Sequence, residues 1–470
     1  MVSFYIYDVV FLVVFTLAII IFLYKKRKNL QRQGLLYLYR TKVGIKFIEW
    51  TSLRFPKTLK ASQYFVVACG YVLMIGMVYL LFRFSYFYIT SPIAAKAIKV
   101  PVIIPLVPYL PEIFNLDFLP PFYFTYWIII IAIIAIPHEF AHGIFARLHK
   151  IKIHSTGFGF LGPFLAAFVE PDEKQMEKKR KFPQLAILAA GTFANIIFTI
   201  IFGLFFWLFF VSAFSPAGVV FDSYASTIVT ISDITAIEGK NVSDVNQIKD
   251  FVDKEKQFVE IEVNGEKYYA HNQNLIFSLE NDFDKIQAIL DSPAFRAKLP
   301  RIISAINKNE VRNFDELTEI LRKHKPGDKI VVSAVDSDGN VKDYEITLAS
   351  FEGRAFLGIG VTPIDRKGIL GWFYSILSEI KDPFVHYKSD WGNFGIFIYN
   401  LLQWCVLISV SVALVNMLPL GIFDGGRFFY LTVLGLTGRK EIGEKAFKIS
   451  TWLLLALVAA LMIKWLFIFV

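Results

Sequence analysis

Apolar residues in this chain run in long blocks, broken by basic and polar connections. A helix that crosses a bilayer needs about 20 apolar residues. Six stretches reach that length: Phe4–Tyr24, Gln63–Tyr88, Phe122–Leu148, Gln184–Val211, Phe394–Leu420 and Phe447–Val470. The connections Lys25–Lys60, Arg147–Lys181 and Arg439–Lys448 are strongly basic. They alternate as the cytoplasmic connections of a multi-pass cell-membrane protein do. Both termini, the loop Ser91–Pro121 and the polar region Phe221–Arg366 are then expected outside the cytoplasm. The first apolar run has no basic residues ahead of it, so it reads as a span rather than a cleaved signal peptide.

The polar region has its own pattern, an internal repeat. Ile234–Ile248 matches Ile303–Leu317 at an offset of 69 residues, with Ala236/Ala305, Ile237/Ile306, Val242/Val311 and Ile248/Leu317 in register. Each copy reads as strand, turn, helix. Each is followed by a β-rich run, Phe258–Val263 and Ile330–Val335. Together with Ser292-Pro293-Ala294 ahead of the second copy, this resembles two PDZ modules, the first the more degenerate. PDZ modules bind peptides by adding a strand to a sheet edge. The plainer reading is an α+β spacer that binds nothing.

Composition agrees with a membrane protein. The chain is 55% apolar and 16% aromatic, with a mean hydropathy of +0.51. A net charge of +9 would suit a nucleic-acid partner, but the basic clusters Lys25–Lys28 and Lys178–Lys181 sit beside apolar spans. The positive-inside rule accounts for them, and no nucleic acid is expected. Cys69 and Cys405 both fall within apolar spans and read as small filler rather than a disulfide.

Chemistry enters near the end of the third span, with His138-Glu139-Phe140-Ala141-His142. Histidines at i and i+4 share one helical face and can hold one zinc ion. Glu139 lies beside them, where it could take a proton from an attacking water. A satisfied histidine pair with a surface glutamate is the bland alternative. An unpaired carboxylate at membrane depth costs several kcal/mol, which argues against it. His149 and His154 follow in the basic loop and read as solvated; His271, His324 and His386 read as surface.

A hydrolytic zinc site uses three protein ligands and an open position. Glu170 is one candidate for the third, but a Gly-rich segment separates it from the helix. Asp424 is the better one. The spans Phe122–Leu148 and Phe394–Leu420 both enter from outside. His138 lies about 24 Å in at about 1.5 Å per residue, the cytoplasmic third of a core about 30 Å thick. Asp424 reaches a similar depth. Its plainer reading is a turn residue before Gly425-Gly426. Two further segments are neither span nor ordinary loop. Thr156–Phe168, apolar and broken by glycine and proline, predicts a re-entrant hairpin, and Pro419–Arg427 breaks a helix and carries the acid.

These motifs together resemble the site-2 proteases, intramembrane zinc metalloproteases. Their second motif, N-P-x-P-x-x-x-L-D-G, is matched by Asn416–Gly425, with Met417 for proline and Phe423 for leucine. Gly191-Thr192-Phe193-Ala194-Asn195 is similar to the family's G-x-x-x-N motif. The resemblance covers about Phe122–Leu436. It implies a polytopic α-helical membrane protein of about six spans, with an inserted extracytoplasmic α+β tandem PDZ-like region. The expected segments are 1–121 (two added helices with a basic loop and an outer loop), 122–220 (zinc helix, hairpin, second core helix), 221–288 and 289–366 (PDZ-like modules), and 367–470 (Asp-Gly motif helix and last span).

Carried over residue by residue, the resemblance implies zinc on His138, His142 and Asp424, with Glu139 as general base and later acid. Asn416 would hydrogen-bond the substrate backbone or the developing oxyanion, with Asn195 a candidate helper. The plainer reading of either asparagine is a hydrogen bond between packed helices. The substrate implied is a membrane protein or peptide, cut within or near its transmembrane segment, with the PDZ-like modules gating access. Two rivals stand beside this reading. One is an inactive scaffold that binds partners through the modules. The other is a transporter, which would spread polar residues along several spans.

Overall fold

The computed structural model describes residues 4–33, 36–91, 106–116, 119–161, 164–252, 256–281, 283–336, 339–361, 375, 378 and 380–469. Gly162 and Pro163 of the expected hairpin, much of the outer loop and the boundary at Arg366 lie outside these residues. The chain divides into two units, residues 1–210 with 396–470, and residues 211–395.

The first unit is helical. Its principal helices are α1 (Phe4–Lys26), α2 (Ile45–Arg54), α3 (Pro56–Thr90), α4 (Phe124–Leu148), α5 (Lys181–Ala213), α6 (Gly392–Asn416), α7 (Asp424–Thr437) and α8 (Lys440–Phe469). Six of them, all but α2 and α7, are long and apolar enough to cross a membrane. Large side chains on their outer faces, such as Phe65, Val72, Ile200, Trp452 and Phe467, are exposed. Such surface suits hydrocarbon as solvent. Helix α4 runs unbroken through Pro137.

Between these helices lies a four-stranded antiparallel sheet ordered β1 (Leu30–Gln33), β2 (Leu36–Thr41), β3 (Ile153–Leu161), β4 (Phe164–Pro171). The β3–β4 hairpin occupies the Gly-rich segment where a hairpin is expected. The first two strands lie within what reads in the sequence as a basic loop. Strand β2 pairs with β3 from Tyr37↔Phe160 to Thr41↔Thr156, and β1 pairs with β2 on its far side. The core beneath joins Ile48, Val66, Phe145, Ala146, Ile187, Ala190, Met417 and Phe428.

The role of α1, unassigned in the sequence, follows from Asp8, which is buried. Helix α4 has no side-chain cap of its own. Asp8 accepts from the backbone N–H of Phe124 at 2.7 Å and of Thr125 at 2.9 Å, and from the hydroxyls of Thr125 and Tyr109. It thus supplies from another helix the N-cap that α4 lacks, a carboxylate at the positive end of the helix dipole.

Among the described residues, the second unit holds two small two-stranded sheets and two six-stranded ones. One is ordered Ser226–Thr230, Lys285–Leu290, Glu266–His271, Phe258–Val263, Ile234–Ile237, Lys240–Asn241. The other is ordered Val341–Thr347, Lys329–Val335, Ile302–Ile306, Phe214–Val220, Val385–Ser389. Each has its own core, around Ile237, Ile248 and Ile261 in the first and Ile306, Leu317 and Val332 in the second. The repeat therefore marks equivalent strand–turn–helix units. The second sheet, however, takes strands from outside the expected bounds 289–366. Phe214–Val220 pairs both with Ile302–Ile303 and with Val385–Ser389. The chain enters and leaves the unit as neighbouring strands, which no local pattern announces.

Asp8→Ala leaves two buried amides and two hydroxyls without their acceptor. We expect it to cost about 2–4 kcal/mol, because hydrogen bonds to a charged group are each worth about 1.5–3 kcal/mol. Asp8→Asn, which keeps an oxygen acceptor, should cost less than half as much. Denaturation in detergent micelles compares the two; equal loss would mean that the retained oxygen contributes nothing, and no loss in Asp8→Ala would remove the capping role.

Candidate metal and catalytic site

Helix α4 delivers two imidazoles on one face, and α7 delivers a carboxylate from its first position. Three atoms converge. His142 Nε2 lies 3.2 Å from His138 Nε2 and 3.3 Å from Asp424 Oδ2, and His138 Nε2 lies 3.6 Å from Asp424 Oδ2. Three corners of a tetrahedron around zinc, with bonds of about 2.05 Å, stand about 3.4 Å apart. The triangle has that size.

The partners of the far ring nitrogens support the same reading. His142 Nδ1 is 2.7 Å from the carbonyl of Ile187, so it donates its proton there and leaves Nε2 free as a ligand. His138 Nδ1 faces the side-chain amide of Asn195 at 3.0 Å. Asn195 is fully buried, and its Oδ1 has no partner. Turning the amide end for end lets Oδ1 accept from Nδ1–H, which removes the orphan and frees His138 Nε2 for a metal. Asn195 thus contacts His138 at Nδ1, the ring nitrogen away from Asp424.

Gly191 explains the other half of the G-x-x-x-N pattern. A Cβ at this position would lie 2.3 Å from His142 Nε2 and 2.6 Å from His138 Nε2. Helix α5 therefore presents bare backbone to the point where the ligands meet. The turn before α7 is equally tight. A Cβ on Gly425 would lie 2.3–2.5 Å from backbone atoms of Met417 and Leu418. This packing fixes Asp424 against the end of α6, and Gly438 in the left-handed region closes α7 at its other end.

Glu139 is the fourth group. Ligand atoms of His138, Glu139 and His142 lie within 4.8 Å of one another. Glu139 Oε2 accepts from the backbone N–H of Val169 on β4 at 3.1 Å, so the hairpin holds the carboxylate beside the imidazoles. Asn416, the last residue of α6, brings Nδ2 to 3.4 Å from His138 Nε2.

Glu170, the rival third ligand, is engaged elsewhere. Arg40 on β2 grips it with two hydrogen bonds at 2.9 and 3.0 Å, and Ser155 donates to it. Burial pushes its carboxyl up, but the Ser155 hydroxyl and the Arg40 guanidinium outweigh that and hold it below its usual range. His149 is not simply solvated, as its loop position suggests. It is half-buried at the end of α4, 2.9 Å from Gln63 Oε1. His154 pairs with Asp172 at 3.3 Å. His271, His324 and His386 are half-buried rather than surface residues. Cys69 and Cys405 are free thiols.

Gly191→Ala is expected to abolish zinc binding, because its methyl would occupy the space between the ligands. Gly203→Ala on the same helix meets nothing within 4 Å and should leave the metal content unchanged. Metal analysis of the purified proteins reads the difference; a full zinc complement in Gly191→Ala would mean that the ligand triangle lies elsewhere.

A model of peptidase family M50 matches residues 126–461. That span holds all four residues of the site and omits α1 to α3. Among curated relatives, the zinc metalloprotease RasP of Shouchella clausii is 27% identical, over 37% of this chain and 48% of its own. The regulator of sigma-W protease RasP of Bacillus subtilis is 23% identical, over 45% of this chain and 46% of its own. The chain thus spans about half the length of the curated relatives it matches. A family match over most of the chain falls on a triangle of side-chain donors of the size zinc requires, within a bundle of membrane-length helices, and the chain belongs to peptidase family M50, the family of site-2 proteases.

Proposed function

We propose that this protein is an intramembrane zinc metalloprotease that hydrolyses a peptide bond within or near the transmembrane segment of a membrane-protein substrate. The observation that carries the reading is the triangle His138, His142, Asp424 with the Glu139 carboxylate beside it. His138, His142 and Asp424 are the metal ligands. Zinc bound there supplies Lewis acidity and an activated water at neutral pH. Glu139, steered by the Val169 amide, takes the proton of the attacking water and returns it to the leaving amine. Asn416 offers its amide N–H₂ to the substrate carbonyl, where negative charge develops. Asn195 and the Ile187 carbonyl hold the imidazoles in orientation and do not touch substrate.

A substrate helix must unwind before its carbonyls can be reached. The edge of β4 supports a way to hold it once extended. Val169 turns its N–H away from β3 and toward Glu139. By strand alternation Ala167 and Leu165 present their N–H and C=O groups on the same side. Both line a cavity with His138, Glu139 and Asn416. An extended substrate strand would pair there.

The basic connections support an orientation with both termini and the second unit outside the cytoplasm, and the metal toward the cytoplasmic side. The second unit then acts as a PDZ-like gate that limits access by substrates with bulky ectodomains. The partners are a membrane-protein substrate and the lipid bilayer.

Two experiments test these assignments. Glu139→Gln should keep its zinc and lose cleavage by about 10²–10⁴-fold, whereas Asp424→Ala should lose both. Cleavage of a single-span reporter by Glu139→Gln at the wild-type rate would remove Glu139 from the chemistry. For the gate, residues 222–384 can be replaced by a short Gly/Ser linker. Phe214–Val220 and Val385–Ser389 remain as a paired hairpin, because they are direct neighbours. The shortened protein should accept reporters with larger ectodomains; unchanged selectivity would sink the filter idea.

A further inference from the structure

We propose that a second cavity beside the catalytic chamber is a specificity pocket for one bulky apolar side chain of the substrate, aromatic or leucine, close to the scissile bond. This rests on the reading of the site as a protease. The cavity has a volume of about 390 Å³. One wall is a single face of α6, with Trp404, Leu407, Ile408 and Val412 at helical spacing. The opposite wall is Leu106, Val107 and Leu110, from a loop outside the family match.

The walls are tied in place. Trp127 on α4 donates its indole N–H to the Leu106 carbonyl at 2.9 Å, and Trp404 donates to the Pro121 carbonyl at 3.0 Å. The Tyr109 hydroxyl donates to Asp8, and its backbone N–H to the Phe122 carbonyl. Helices α1, α4 and α6 thus all hold the loop, and the cavity is a built feature.

Its position gives it a role. Leu106, Ile408, Val412 and Asn416 line both this cavity and the one that contains His138 and Glu139. The two spaces therefore adjoin at Asn416, the residue assigned to the substrate carbonyl. A strand seated on β4 turns alternate side chains to opposite faces, so residues near the cut point toward different walls. Apart from Ser411, Asn416 and the Trp404 indole N–H, which is already given to Pro121, the α6 wall offers only carbon. A pocket of this size and lining takes a large apolar group and gains little from alanine.

The test uses the full-length protein in lipid and single-span reporters that carry Phe, Leu or Ala at each position flanking the cut. At one flank we expect Phe to exceed Ala in kcat/KM by at least about tenfold. Leu407→Trp fills the pocket and should bring that ratio to within about twofold, with zinc content unchanged. If Leu407→Trp does not retain zinc, Val107→Trp fills the same space from the loop. In a Glu139→Gln background, a photo-crosslinker in place of Val107 should capture the Phe reporter several-fold more than the Ala reporter. Equal cutting of Phe and Ala reporters, or a Phe preference that both filling variants leave intact, overturns the pocket. If the wild type cuts none of the reporters, the protease reading falls, and the crosslink ratio alone then upholds or overturns the pocket.

Discussion

Two imidazoles and two carboxylates share one small volume in an apolar bundle, and that arrangement costs free energy unless a cation neutralises it. Three donor atoms must also meet at about 3.4 Å, although two come from α4 and the third from α7, far along the chain. Much of the unit's packing serves this convergence. Helix α5 approaches with Gly191, because any side chain there would fill the space between the His138 and His142 imidazoles. The same helix supplies Ile187 and Asn195 to orient the rings. Helix α7 is pinned by Gly425 against the backbone that ends α6. The hairpin is brought close enough for Val169 to hold Glu139.

The spans and the histidine pair were legible because their signals are local. Apolar length marks a span, and i, i+4 spacing marks a helical face. Asp424 was legible through depth and motif resemblance together. Pairings that depend on distant chain were not legible. Nothing between Leu30 and Thr41 announces that it will extend the hairpin, since β2 meets β3 more than a hundred residues later. The strand Phe214–Val220 follows the span Gln184–Val211 inside the segment 122–220 expected for the membrane core, and is claimed by a sheet with Val385–Ser389. The role of Asn195 turns on which ring nitrogen it meets, which spacing does not fix. Asp8 did leave a signal, a lone acid within an apolar run, and such residues at membrane depth usually have partners. Its partner could not be read, because it is the bare N-terminus of another helix.

The first three helices fall outside the family match, yet they are bound into the core. Asp8 caps the metal helix at its far end, Gly70 of α3 packs closely on Ala189 and Phe428, and Tyr71 meets Thr432 of α7 at 3.0 Å. Arg40 of β2 engages Glu170 of β4, which ties the added strands to the hairpin.

The added strands also bear on where an extended peptide can pair. An uncovered sheet edge accepts any strand that reaches it. A bare β3–β4 hairpin would have two such edges, one of them turned away from the metal. With β2 on β3, that second edge is closed by the protein's own backbone, and the new outer edge passes to the short strand β1. The edge of β4 stays open on the side that carries Val169, Ala167 and Leu165 toward the catalytic chamber. Among the described residues the free edge of this sheet nearest His138, Glu139 and Asn416 is that of β4, and Gly191 keeps the space between His138 and His142 open.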